Sequence, residues 1–170
     1  REYRLIYADL PYGDEGDWTP EQFRNMCGNV IELSSAPVLT LIVQMGEACF
    51  SPFLEIAKEI FSRAEPLYWY KSNAAISGLN RHAGQLEVGL IAHFAKGGKT
   101  ILPKEIYRWI KGGGIMNPNV LDFPKPTVLQ KSLDKPICKY QKPMALMEYI
   151  AWVYGEHAEW TLELCAGSGT

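Results

Sequence analysis

The chain has no apolar run that approaches the roughly 20 residues needed to cross a bilayer. Its first residues also lack the basic, apolar and small-residue succession of a secretory signal. Neither a membrane span nor export is therefore expected. Cysteine is sparse and scattered, at Cys27, Cys49, Cys138 and Cys165, without the paired spacing of a zinc site or a disulfide framework. The three histidines, His82, His93 and His157, are equally dispersed. No metal site is expected, and reduced thiols fit an intracellular setting. Positive charge is also short overall: 17 basic side chains meet 19 acidic ones, for a net charge of −2. Taken as a sum, that balance argues against a nucleic-acid partner.

The distribution of charge argues the other way. Residues 96–142 carry 10 basic and 3 acidic side chains, whereas residues 1–95 carry 7 and 12, and residues 143–170 carry 0 and 4. A phosphate backbone responds to the local field, not the summed one. Lys96, Lys99, Lys104, Arg108 and Lys111 are the candidate phosphate contacts, joined by Arg81 from a polar loop upstream. The alternative is an ordinary solvated, lysine-rich loop. Glycines at 97, 98 and 112–114 and prolines at 103, 118, 124, 126 and 136 break any long element in this region. Only one short helix, over about 104–111, is expected there. A loop-rich insertion of this length (97–140) inside a compact domain is more often functional than accidental.

At 170 residues and 47% hydrophobic, the chain can bury one core, and residues 1–170 are expected to form one domain. Apolar and aromatic residues over 3–9 read as a buried strand, and those over 37–43 as a second. Thr19-Pro20-Glu21-Gln22 is a helix start, with Thr19 as cap and Gln22 closing a capping box. That helix should run to about Leu33 and bury Phe23, Met26, Cys27, Val30 and Ile31. Ser51-Pro52 reads as the start of a second helix, followed by strands over 67–71 and 87–95. A third helix should open at Pro143, and a last strand should cover 160–165. Alternation of strands and helices argues for an α/β fold with a mostly parallel sheet and helices on both faces.

Two stretches carry chemistry. In Ala8-Asp9-Leu10-Pro11-Tyr12-Gly13, Pro11 and Gly13 end the first strand and leave Asp9 at its C-terminal lip. Open α/β sheets place their ligands at that lip. A carboxylate acceptor with the ring of Tyr12 close behind it suits a planar, amino-bearing base. An Asp in this position also serves simply as a turn residue or a helix cap. At the other end, Thr161-Leu162-Glu163-Leu164-Cys165-Ala166-Gly167-Ser168-Gly169-Thr170 is a short strand running into a Gly-x-Gly turn, where a backbone can approach a ligand closely.

Together these stretches resemble motifs IV and I of S-adenosylmethionine-dependent amino-methyltransferases. The catalytic motif comes first, the order of the permuted β class of DNA methyltransferases. Gln141-Lys142-Pro143, followed by Leu146-Met147-Glu148, is similar to motif X of that class. Trp69 and Lys71, then Glu87, then Lys96-Gly97 look like its middle strands. The resemblance implies a Rossmann-like class I methyltransferase fold and methyl transfer to adenine N6 in DNA. It implies catalytic roles for Asp9, Leu10, Pro11 and Tyr12, with Leu10 standing where the commoner motif has proline. Cofactor contacts would come from Asp9, Lys142, Pro143, Glu163, Cys165, Ala166, Gly167 and Gly169. Residues 97–140 would be a short target-recognition region, and Tyr12 would stack on the target base.

The resemblance also leads us to expect that part of the cofactor subdomain follows Thr170, or that a homodimer or heterodimer partner completes the site. Three rivals remain. An RNA adenosine methyltransferase shares the motif order, an inactive nucleic-acid-binding subunit would serve a catalytic partner, and another Rossmann-like nucleotide binder would leave residues 141–148 unexplained.

Overall fold

In the computed structural model, the described residues are 2–11, 18–71, 86–96, 120–122, 142–155 and 160–165. They form six strands and three helices, in the order β1 (Tyr3–Asp9), α1 (Pro20–Leu33), β2 (Val38–Met45), α2 (Glu47–Ile60), β3 (Arg63–Tyr70), β4 (Leu86–Ala95), β5 (Val120–Asp122), α3 (Met144–Gly155) and β6 (Trp160–Leu164). The strands make one sheet, ordered β5-β3-β4-β2-β1-β6. The expected short helix over 104–111 lies outside the described residues.

The helix starts show how local chemistry sets the elements. Thr19 and Gln22 form the full capping box, and Pro20 occupies the first turn, where its missing N–H costs nothing. Of the expected stripe on α1, Phe23, Met26, Cys27 and Val30 are buried, and Ile31 is partly so. Helix α2 starts at Glu47, four residues before the expected Ser51, and carries Pro52 inside it. The additional turn is held by packing: Cys49 is buried and Phe50 lies against the core, which offsets the backbone bond that proline removes. Strand β3 likewise begins at Arg63, before the expected residue 67.

Period-2 alternation divides the core. Ile6 and Ala8 of β1 join Leu41 and Val43 of β2 against α1 and α2. Phe23 and Phe53 stack between those helices with ring centroids 4.3 Å apart. Leu5 and Tyr7 face the other way, with Ile42, Trp69 and Ile91, against Leu146, Ile150 and Val153 of α3. Helices therefore cover both faces. The expectation of a mostly parallel sheet holds for all the described strands but β4. β1 is parallel to β2 and β6, and β3 to β5, but β4 is antiparallel to both β2 and β3. The sheet is mixed because β3 and β4, consecutive among the described elements, pair with each other antiparallel.

Two buried features of the sheet are testable. Gly89 of β4 lies opposite Gln44 of β2, and a Cβ there would sit 2.5 Å from the Val43 carbonyl oxygen. That oxygen is backbone and cannot rotate away. Gly89→Ala should cost about 1–3 kcal/mol, read as a lower urea midpoint at unchanged m-value. An unmoved midpoint would mean that β2 and β4 separate freely.

His93, 2% exposed, meets the Thr40 hydroxyl through Nδ1 at 3.1 Å. Burial, with help from the Arg63 charge and against that of Glu65, holds the imidazole down at about 4, below its usual 6.5. Between those two pH values the unfolded chain binds a proton that the folded chain does not. The stabilisation is complete above pH 6.5 and is lost as pH falls toward 4. From pH 7.5 to 5 this one group should remove about 2 kcal/mol. Urea titrations of the wild type and His93→Asn should diverge across that window, and parallel curves would refute the assignment.

Candidate active site

The C-terminal ends of β1, β2, β3 and β6 and the N-terminal end of β4 share one edge of the sheet, which follows from the strand directions. Asp9, the last residue of β1, is in register with Gln44 of β2, and Ala8 with Leu164 of β6. Beyond Asp9, the Leu10 N–H donates to the Gln44 carbonyl at 3.0 Å, so β2 anchors the chain as it leaves the sheet. Leu10 itself is buried, and Pro11 follows with no N–H of its own. The Gln44 side chain accepts a hydrogen bond from the Tyr7 hydroxyl. Gly89, opposite Gln44, leaves room for this arrangement.

Asp9 shares the face of β1 that turns to α3, because it continues the Leu5, Tyr7 alternation. Lys142, two residues before α3, reaches it there: Nζ is 2.9 Å from Asp9 Oδ2. The same ammonium is 3.3 Å from Glu87 Oε2, and Glu87 Oε1 is 3.1 Å from Lys71 Nζ. The Trp69 ring lies beside both lysines, its centroid 5.7 Å from Lys142 Nζ and 5.5 Å from Lys71 Nζ, within cation–π range. Lys142 is only 6% exposed, and a charge so buried requires partners. Two carboxylates and an aromatic face supply them.

Glu163 and Cys165 approach from β6. Burial and the Asp9 charge both raise the titration of the Glu163 carboxyl, and the same two causes raise that of the Cys165 thiol. Cys165 also has a φ of 58°, a left-handed backbone that a residue with a Cβ adopts at a cost of about 1–2 kcal/mol. It is the residue that directly follows β6. Between β1, β6 and α3 a cleft of about 420 Å³ opens, walled by Leu5, Tyr7, Met144, Met147, Thr161 and Glu163.

The expected site residues are thus partly gathered. Asp9, Leu10, Pro11, Lys142, Pro143, Glu163 and Cys165 stand at one edge. Lys96 does not: its N–H donates to the Pro37 carbonyl, beside the start of β2, about 20 Å along that strand from Gln44. Tyr12, Ala166, Gly167, Gly169, Arg81, Lys99, Lys104, Arg108 and Lys111 lie outside the described residues. Sequence reasoning did not place Trp69, Lys71, Glu87 or Gln44 in the site. Trp69, Lys71 and Glu87 were visible as charged and aromatic residues at strand ends, and Gln44 as the polar residue near the end of an otherwise apolar strand. Among the described residues no three His, Cys, Asp or Glu side chains cluster as metal ligands, and no helix is long and apolar enough to cross a membrane.

No protein-family model matches the chain, and no curated protein does. Solved structures do. A crystal structure of an M1.HpyAVI–SAM complex superposes with a TM-score of 0.68 at 18% identity, over 99% of this chain and 74% of that one. A crystal structure of M1.HpyAVI superposes at 0.60 and 16% identity, over 99% and 71%. At such low identity the likeness concerns the path of the backbone: this chain shares the fold of those two structures.

Proposed function

We propose that the chain is an S-adenosylmethionine-dependent methyltransferase of the permuted β class that methylates the N6 amine of adenine in DNA. One observation carries the reading. Asp9 and Lys142, which lie far apart in the chain and belong to two separate motifs of the resemblance, meet at 2.9 Å on the edge where such folds bind their ligands.

The cleft beside β6 fits the cofactor in kind. Its volume lies within the roughly 300–1,000 Å³ of small-molecule sites, its walls are largely apolar, and Glu163 adds a carboxylate. Lys142, Pro143, Glu163, Cys165, Ala166, Gly167 and Gly169 would hold S-adenosylmethionine there. The bound cofactor supplies an electrophilic methyl group on a sulfonium. The protein's part is to make the amine attack it. An adenine amine is a poor nucleophile because its lone pair is delocalised into the ring. Two acceptors on its N–H bonds draw the nitrogen toward tetrahedral geometry and release the lone pair. The Asp9 carboxylate is one acceptor and the Leu10 carbonyl is the other, on a backbone anchored to Gln44. A hydrogen bond to a charged group contributes about 1.5–3 kcal/mol.

As positive charge grows on nitrogen, the negative charge of Asp9 stabilises it, so positioning and electrostatics carry the step. Tyr12 would stack on the base once flipped, worth about 1–3 kcal/mol. The basic residues Arg81, Lys99, Lys104, Arg108 and Lys111 would meet phosphates. Lys96, at the opposite edge, would do so only on a duplex that wraps the sheet.

The test is mass spectrometry of nucleosides after the full-length protein is incubated with labelled cofactor and mixed DNA and RNA. N6-methyladenine in DNA is the expected product. Label confined to RNA would favour the RNA enzyme, and no label in any nucleoside would leave a binding subunit.

A further inference from the structure

Asp9 alone could neutralise Lys142, yet a second carboxylate shares the same ammonium. Signs alternate along the resulting chain: Asp9, Lys142, Glu87, Lys71. All four side chains are less than a quarter exposed, at 23%, 6%, 20% and 14% in that order, so solvent screens them only in part. Strand pairing fixes the arrangement, because Glu87 is the register partner of Trp69, whose ring lies beside both lysines.

We propose that Glu87 is a positioning residue for Asp9: by sharing the Lys142 ammonium, it sets how firmly that ammonium holds the Asp9 carboxylate. The inference rests on the reading that Asp9 receives the substrate amine. If Lys142 belonged to Asp9 alone, a tight charge-assisted pair would compete with the amine for the carboxylate oxygens. With no cation there, Asp9 would stand beside the like charge of Glu163, whose titration the Asp9 charge already helps to raise. A shared cation avoids both extremes: Asp9 stays ionised and still accepts from the amine. Among the described residues, the charged and titratable groups near Asp9 include Lys142 ahead of α3, Glu163 and Cys165 at β6, and, one step removed, Glu87 on β4 and Lys71 after β3. The facing group on β2 is neutral Gln44.

An alternating chain makes a prediction that loss of packing does not: the effect of removing a charge must reverse sign at each step. Glu87→Gln leaves Lys142 wholly to Asp9, so the acid limb of the pH–rate profile should move to lower pH while maximal turnover falls several-fold. Lys71→Met frees Glu87 to draw Lys142 away, so the limb should move to higher pH. Lys142→Met removes the neighbouring cation and should move it upward most, by about 1–3 pH units, the usual influence of an opposite charge at this distance. In the Lys142→Met background, Glu87→Gln should no longer depress turnover.

The same order should appear in a carbon-13 titration of the Asp9 carboxyl in the full-length protein, which requires no substrate. Glu87→Gln and Lys71→Met shifts of opposite sign support the proposal. Shifts of equal sign, or none, overturn it, even if Lys142→Met fails to fold. Absence of methyl transfer by the wild type with the carboxyl shifts intact would refute the proposed reaction and leave the charge chain standing.

Discussion

Asp9→Asn should lower methyl transfer about 100- to 1,000-fold in a protein that remains folded, the usual cost of losing one preorganised electrostatic partner of a transition state. The substitution keeps an acceptor oxygen and nearly the same volume. Were Asp9 only a turn or capping residue, it would cost little. Glu87 still accompanies Lys142 in the variant, so the buried ammonium keeps one carboxylate. What is lost is the negative charge at the point where the attacking nitrogen becomes positive. Turnover should therefore fall far more than cofactor affinity, and Asp9→Ala should be worse still because both acceptor and charge are gone. Single-turnover transfer assays alongside calorimetric cofactor binding separate the two effects. Near-wild-type turnover in a folded Asp9→Ala protein would end the adenine-methyltransferase reading.

Lys142→Met should produce the largest loss of stability at the site. The methionine replaces the lysine stem in volume and can lie against Trp69, so packing changes little. The charge is what disappears. Asp9 and Glu87, both partnered by one ammonium, lose it together, and Glu87 retains Lys71. Breaking a buried ion pair from one side costs about 3–5 kcal/mol; the two carboxylates here are roughly a fifth exposed, which places the expectation at the lower end. Chemical denaturation at neutral pH reads the loss directly. The deficit should shrink as pH is lowered and the carboxylates protonate, because the variant then no longer holds uncompensated charge. A loss below about 1 kcal/mol, the size of a surface ion pair, would mean that water already serves these carboxylates in the native protein.

Different parts of the site were legible to different degrees. Asp9 could be placed at a strand lip because Pro11 and Gly13 stop any strand that reaches them. Lys142 could be singled out only as part of a string similar to motif X, and nothing in that string says that its ammonium meets Asp9. Glu87 and Trp69 were noticed in the same way. Their contact with Lys142 depends on β3 ending and β4 beginning at the edge where β1 ends, and hence on the reversal of β4. Lys96 was grouped with its neighbours in the basic stretch, but that reversal carries it to the far edge of the sheet. Charge counted along a chain does not record which end of a strand it occupies.

What the sequence by itself determined is local. The Thr19–Gln22 box starts α1, the apolar stripe chooses its buried face, and alternation along β1 decides which side chains meet α1 and α2 and which meet α3. These outcomes depend on backbone geometry within a few residues, where side-chain period and capping act directly. The tertiary structure decided the rest. It set the direction of β4, the early start of α2 on the burial of Cys49, the clearance at Gly89, and the meeting of Asp9, Lys142, Glu87 and Lys71. Each is a contact between residues far apart in the chain, fixed by which strands lie side by side. Hydrophobic period is the same for a parallel and an antiparallel strand, so that order had to come from the packing of the whole sheet.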